Sequence, residues 1–168
     1  MKKFLIIALA AMLVLGLCAC AESDPAGTTA PGNTPSGPVG YRFTYNGYQF
    51  GVGMDMKDVK LGEPLDKAVS ESCAFGGQDI VYYYSSIQVS TNDEEGYEKV
   101  YSIYLEDDLV STEKGISIGA TPEQVKAAYG EPDAVSTENC LIYAKDGMKL
   151  RFMIHNGKVS SIVYDMLP

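Results

Sequence analysis

The chain is 168 residues long, with 22 acidic against 13 basic residues and a formal net charge of -9. Acid in that excess repels phosphate backbones and anionic headgroups, which excludes nucleic acid as a partner and basic side chains as a membrane anchor. Once residues 1–40 are set aside, what remains is the length of one domain with a single core.

The chain begins with Met1-Lys2-Lys3, followed by an apolar run from Phe4 to Leu17 and the sequence Leu17-Cys18-Ala19-Cys20. A basic start, an apolar stretch too short to span a bilayer comfortably and a small residue before the cut describe a secretory signal over residues 1–19. The ending resembles the bacterial lipobox, in which a Cys after a small residue receives a diacylglyceryl group. That resemblance makes Cys20 the lipid attachment site, because Ala19 is small where Leu17, before Cys18, is bulky. Residues 20–40 then follow as the lipidated Cys and a tether whose positions 21–40 hold four Pro and four Gly. Such a segment cannot bury enough apolar surface to offset its ordering entropy, and its end-to-end distance is about 25 Å. The expected location is outside the cytoplasm, on the outer side of the cell membrane or on an outer membrane where the host has one.

The domain, residues 41–168, opens with Tyr41 to Tyr45, the pair Asn46-Gly47, and Tyr48 to Val52, which predicts a hairpin. The segment with Met54, Met56, Val59 and Leu61 is a weak helix candidate. Strands are expected at Asp79 to Tyr84, Ile87 to Thr91 and Lys99 to Leu105. Gly115 to Gly119 reads as a short strand. Thr121 to Gly130 reads as a helix, with a reciprocal Thr121 and Gln124 cap, Pro122 in the first turn and Gly130 at the stop. Cys140 to Ala144, Met148 to Ile154 and Val159 to Tyr164 then form a three-stranded meander. Gly62-Glu63-Pro64 parallels Gly130-Glu131-Pro132, and Lys99-Val100-Tyr101-Ser102-Ile103 parallels Lys158-Val159-Ser160-Ser161-Ile162. These matches predict an α+β fold in which two tandem strand-helix-meander units, residues 41–110 and 111–168, share one antiparallel sheet with the helices on one face.

The run Ile116-x-Ile118-Gly119-x-Thr121-x-x-Gln124-Val125-x-x-x-Tyr129-Gly130-x-Pro132, behind a lipobox Cys, resembles the SmpA/OmlA-like lipoproteins and the related β-lactamase-inhibitor-like fold. The doubled unit is more similar to the inhibitor-like arrangement, and the resemblance implies an α+β fold whose open sheet face binds another protein. Unlike the inhibitor, this chain has no Trp. With its tether and Ser72-Cys73-Ala74-Phe75 segment, the exported part also resembles small clostridial-type lipoproteins of no assigned activity.

Catalytic signals are sparse. The one histidine, His155, precedes the Asn156-Gly157 turn, where it reads as a solvated hairpin residue, so no enzyme and no cofactor is expected. The runs Asp93-Glu94-Glu95 and Glu106-Asp107-Asp108 lack the spacing of a calcium loop, and no metal is expected. Cys73 and Cys140 are either a disulfide or two free thiols.

Tyrosine is the stronger signal, with 12 in the chain. Tyr82 and Tyr84 share one face of their strand and Tyr83 takes the other. In the strand after Lys99, Tyr101, Ile103 and Leu105 are expected beneath the helices, with Val100, Ser102 and Tyr104 on the open face. Arg151 and Met153 alternate with the apolar Leu150, Phe152 and Ile154 and join that open face. The candidate binding face is therefore Tyr83, Tyr104, Val100, Arg151 and Met153. Tyrosine offers rigid amphipathic contact area at low entropy cost. The expected function is a non-catalytic module binding a protein or peptide at the cell envelope; the alternative is a lipoprotein binding a small ligand such as a sugar or wall fragment.

Overall fold

The computed structural model describes residues 39–167. The signal, Cys18, Cys20 and nearly all of the tether lie outside the described residues.

Strands β1 (Phe43–Tyr45) and β2 (Tyr48–Phe50) pair as the hairpin that Asn46-Gly47 predicts. Asn46 and Gly47 take φ of 48° and 79°, the double left-handed turn whose twist matches the flanking strands. Asp146-Gly147 and Asn156-Gly157 do the same for two later hairpins.

The main sheet has seven antiparallel strands: β3 (Asp66–Glu71), β4 (Gln78–Tyr83), β5 (Ile87–Asn92), β6 (Lys99–Leu105), β7 (Cys140–Lys145), β8 (Met148–His155) and β9 (Lys158–Met166). Their spatial order is β3-β4-β5-β6-β9-β8-β7. Two meanders therefore meet through their last strands, β6 and β9, and that junction spans only Ser102 to Leu105 against Ile162 to Asp165.

The predicted fold class needs correction. The described residues are mostly β, with one α-helix among them, α1 (Pro122–Tyr129), rather than an α+β fold with a helix in each unit. The α1 helix carries both halves of the predicted capping box, Thr121 and Gln124. Its first-unit counterpart is a single 3-10 turn, Met56–Asp58, capped by Asp55. The backbone there is spent elsewhere: Gly53 N–H donates to Val100 O at 2.8 Å, Val100 N–H to Met54 O at 2.8 Å and Met56 N–H to Glu98 O at 2.7 Å. The segment thus completes the end of β6 that β9 leaves unpaired, and a helix there would orphan those groups.

Gly115 to Gly119 also differs from the predicted strand. Thr112 closes it into a loop, accepting from Gly115 N–H through its carbonyl and from Ile116 N–H through its hydroxyl. Its hydrogen bonds to the sheet are made at its end, where Gly119 N–H donates to Val159 O at 2.8 Å. Strand β3 carries no alternating signal in the sequence, since its residues are all exposed.

One face of the sheet is covered. A cross-strand row runs Tyr82, Val89, Ile103, Tyr164, Leu150, Tyr143. Over it lie the β1-β2 hairpin, the Thr112 loop and α1, which bury Phe43, Phe50, Ile116 and Val125. The Tyr129 ring seats α1, at 5.3 Å centroid to centroid from both Tyr143 and Phe152.

Candidate functional site

Among the described residues, the opposite face carries no such layer. Its central row runs Asp66, Tyr83, Gln88, Tyr104, Val163, Arg151, Ile142, from one edge of the sheet to the other. Tyr83 and Tyr104 therefore stand two strands apart in one line, with Gln88 between them. Tyr104 is 37% exposed, whereas Val163 beside it is buried. A long amide, two phenols and a guanidinium in one row form a half-buried surface with apolar area and hydrogen-bonding ends.

The neighbouring row is polar. Asp165 accepts from Ser102 Oγ at 2.9 Å and from Arg151 Nε at 2.6 Å, with Arg151 Nη2 at 2.5 Å. This fork fixes the guanidinium against the sheet and leaves Arg151 with further donors for a ligand acceptor. Gln88 Nε2 donates to Glu106 Oε1 at 2.5 Å, which orients the amide between the two tyrosines.

Of the five residues predicted for the binding face, Tyr83, Tyr104, Arg151 and Met153 lie on it, Met153 in line with Cys140 and Ser161. Val100 does not. It pairs with Thr91 on the covered face and is 0% exposed. The cause is a bulge: Ser90 faces Ser102 while Thr91 faces Val100, so Tyr101 is an extra residue in β6. One inserted residue flips every side chain beyond it, which simple alternation along the sequence cannot show.

Tyr101 is accordingly not beneath the helix either. Its ring lies 5.5 Å from that of Phe75, which is 41% exposed in the loop joining β3 to β4. Burial raises the Tyr101 hydroxyl pKa, the Asp79 and Asp165 charges add to the rise, and a hydrogen bond with Ser90 works against it. Beside this pair opens a cleft of about 210 Å³ lined by Phe75, Asn92, Glu94, Lys99, Tyr101 and Leu167. Asn92 is buried and holds the loop, donating to Gly76 O at 3.0 Å and to Asp79 Oδ1 at 2.9 Å while its carbonyl accepts from Glu94 N–H. The loop also requires Gly77, at φ 69°, where a Cβ would meet Asp93 Oδ1 at 2.3 Å. Sequence reasoning missed this cleft. An aromatic followed by two glycines, Phe75-Gly76-Gly77, was the available signal, since it pairs a large apolar side chain with a backbone built for a tight turn.

The chain matches no family model, no curated protein and no solved structure. The geometry itself is what bears on function.

The remaining candidates fall apart spatially. Cys73 is exposed after β3 and Cys140 is half-buried at the start of β7; both thiols are free. They lie toward opposite edges of a seven-stranded sheet, and with strands about 4.8 Å apart that separation far exceeds the reach of a disulfide. His155 is exposed at the end of β8. Among the described residues no group of three or more His, Cys, Asp or Glu side chains is arranged to hold a metal. Asp93 instead caps Gln78 N–H at 2.6 Å, Glu95 pairs with Lys99, and Asp107 accepts from Leu109 N–H at 2.9 Å.

Proposed function

We propose that the protein is a lipoprotein, held through Cys20 on the outer side of a membrane, whose uncovered sheet face binds a protein or peptide at the cell envelope without catalysing a reaction. One observation carries this reading: the line Tyr83, Gln88, Tyr104, Val163, Arg151 across five strands that no part of the described chain covers. Aromatic and Arg side chains are the types that anchor interfaces, and here they rest on a rigid sheet whose other face is the core. Arg151 is already oriented by Asp165, so little entropy is lost when it meets a carboxylate or backbone carbonyl.

Affinity capture with the part of the chain after Cys20, against the envelope and secreted fractions of the host, tests the reading. One enriched protein whose capture is lost with Tyr83→Ala and Tyr104→Ala, at unchanged melting temperature, is the expected result. Capture indifferent to both changes overturns this placement of the site. For the anchor, Cys20→Ser releases the protein from membranes or leaves it uncleaved, and a cleaved form still retained on membranes overturns the lipid assignment.

The cleft beside Tyr101 favours a second reading, capture of a small ligand such as a sugar or wall fragment. Its volume of about 210 Å³ suits a single ring against the Phe75 and Tyr101 faces, with Asn92, Glu94 and Lys99 at the rim. A melting temperature raised by small envelope molecules, and unmoved by proteins, decides for it.

A further inference from the structure

The two edges of the seven-stranded sheet are finished differently. At β7 the outward backbone is taken up by the loop before it. Asp133 N–H donates to Ile142 O at 2.9 Å, Ser136 Oγ accepts from Ile142 N–H at 2.9 Å, and Asp133 Oδ2 accepts from Ala144 N–H at 2.6 Å. Among the described residues nothing equivalent lies along β3, all six of whose residues are exposed. Backbone direction alternates along a ladder, and Ser72 N–H is spent inward on Gly77 O. Lys67, Val69 and Glu71 therefore turn their N–H and C=O outward. Of these, among the described residues, only Lys67 N–H has an acceptor, the Asp66 carboxylate at 2.8 Å.

The side chains of this edge are self-complementary in one register. We propose that β3 pairs antiparallel with β3 of a second copy of this chain, about a two-fold axis through Val69, so that the two sheets become one. In that register Val69 faces Val69 of the second copy, and Lys67 faces its Glu71 on both sides of the axis. Glu71 makes no ion pair within its own chain among the described residues. The Lys67 ammonium sits 4.8 Å from the Tyr82 ring and 4.0 Å from Glu98, with its side chain 41% exposed. Val69, 52% exposed, is apolar at the centre of the edge.

Competing registers fail on charge. An axis through Lys67 opposes two ammonium groups, and one through Glu71 opposes two carboxylates. An axis through Ala68 sets Lys67 against Val69 and leaves Glu71 without a cation. An isolated charge on an edge strand blunts pairing with arbitrary chains, and the same charge selects the one partner that neutralises it. Opposite charges directly across a strand pair stabilise it and like charges oppose it. This surface is separate from the Tyr83 to Arg151 row, so the proposal stands or falls independently of the binding function.

The test uses the full chain in its membrane, with Cys73→Ser and Cys140→Ser as background. Residues directly opposite in a hydrogen-bonded pair have Cα atoms about 5.5 Å apart, within disulfide range. Val69→Cys is therefore expected to form a covalent dimer under mild oxidation, and Ser70→Cys, which faces Ala68, is not. Adding Lys67→Glu should cut the yield of cross-linked dimer by about tenfold or more, and Lys67→Glu with Glu71→Lys should restore it, because the swap regenerates both pairs. Recovery in the swapped variant also shows that the single reversal did not act by unfolding. A Val69→Cys chain that stays monomeric overturns the proposal. So does equal cross-linking in Lys67→Glu, or in Ser70→Cys. A monomer whose Cys at 69 resists alkylation in the membrane overturns it in favour of another chain on the same edge.

Discussion

The two faces of the seven-stranded sheet use the same strands for opposite ends. Under the hairpin and helix, Ile103 and Leu150 are fully buried on either side of Tyr164, and Phe152 is fully buried opposite Ile162. On the other side the same strands set out Tyr104, Arg151 and Asp165, partly exposed, with Asp165 accepting hydrogen bonds from Arg151 and Ser102. Burial makes the first face the source of stability. The second face is held less by packing, so its exposed side chains can vary in chemistry at a smaller cost. A sheet with one face sealed is a platform whose other face can be altered without unfolding it.

That contrast can be broken or sharpened by substitution. The largest effect is expected for Phe152→Ala, which empties a fully buried site beside Tyr129 and Tyr143 and should cost about 3–5 kcal/mol in denaturant unfolding. Gly77→Ala should cost about 1–3 kcal/mol, because the left-handed φ and the clash with Asp93 both oppose a Cβ, and it should free the Phe75 loop on the open side. Proteolysis of that loop before global unfolding would register the change.

Alkali offers a third handle. Burial raises the hydroxyl pKa of Tyr129 and Tyr143 to about 12, and that of Tyr164 well above its usual 10. A group whose folded pKa is raised gives its full contribution below the unfolded pKa and loses it as pH rises toward the folded one. Stability should therefore hold up to about pH 10 and fall between pH 10 and 12. Tyr164→Phe should flatten the fall, as chemical denaturation at pH 8 and pH 11 would show. The smallest effect belongs to Tyr104→Ala, which should move stability by no more than about 0.5 kcal/mol. A loss near that of Phe152→Ala would mean that the open face is structural and erase the distinction.

Much of this was legible in the chain, and the exceptions have specific causes. Hairpins were readable wherever Asn-Gly or Asp-Gly fixed the turn, and α1 wherever Thr121, Pro122, Gln124 and Gly130 coincided. The second helix failed because the bonds of residues 53 to 56 to β6 are tertiary, and local propensity is silent about them. Gly115 to Gly119 alternates like a strand but closes on Thr112, whose carbonyl and hydroxyl both accept from it. On the open face, Tyr83 and Tyr104 followed from alternation alone. Val100 did not, since a bulge at Tyr101 resets the count.

The strap from Gly53 to Met56 also gives the domain a direction of mechanical strength. A pull on the N-terminal side of the described chain first meets Val39, bonded to Val52 O at 3.1 Å, and the small β1-β2 hairpin. Force passing the hairpin then loads the strap's bonds to Glu98 and Val100, at the end of the central strand β6. Tension from that side is thus delivered to the middle of the sheet, next to the short β6-β9 seam, and not to either edge. The line from Tyr83 to Arg151 crosses that seam between Tyr104 and Val163, so load taken by the strap reaches the middle of the open-face row.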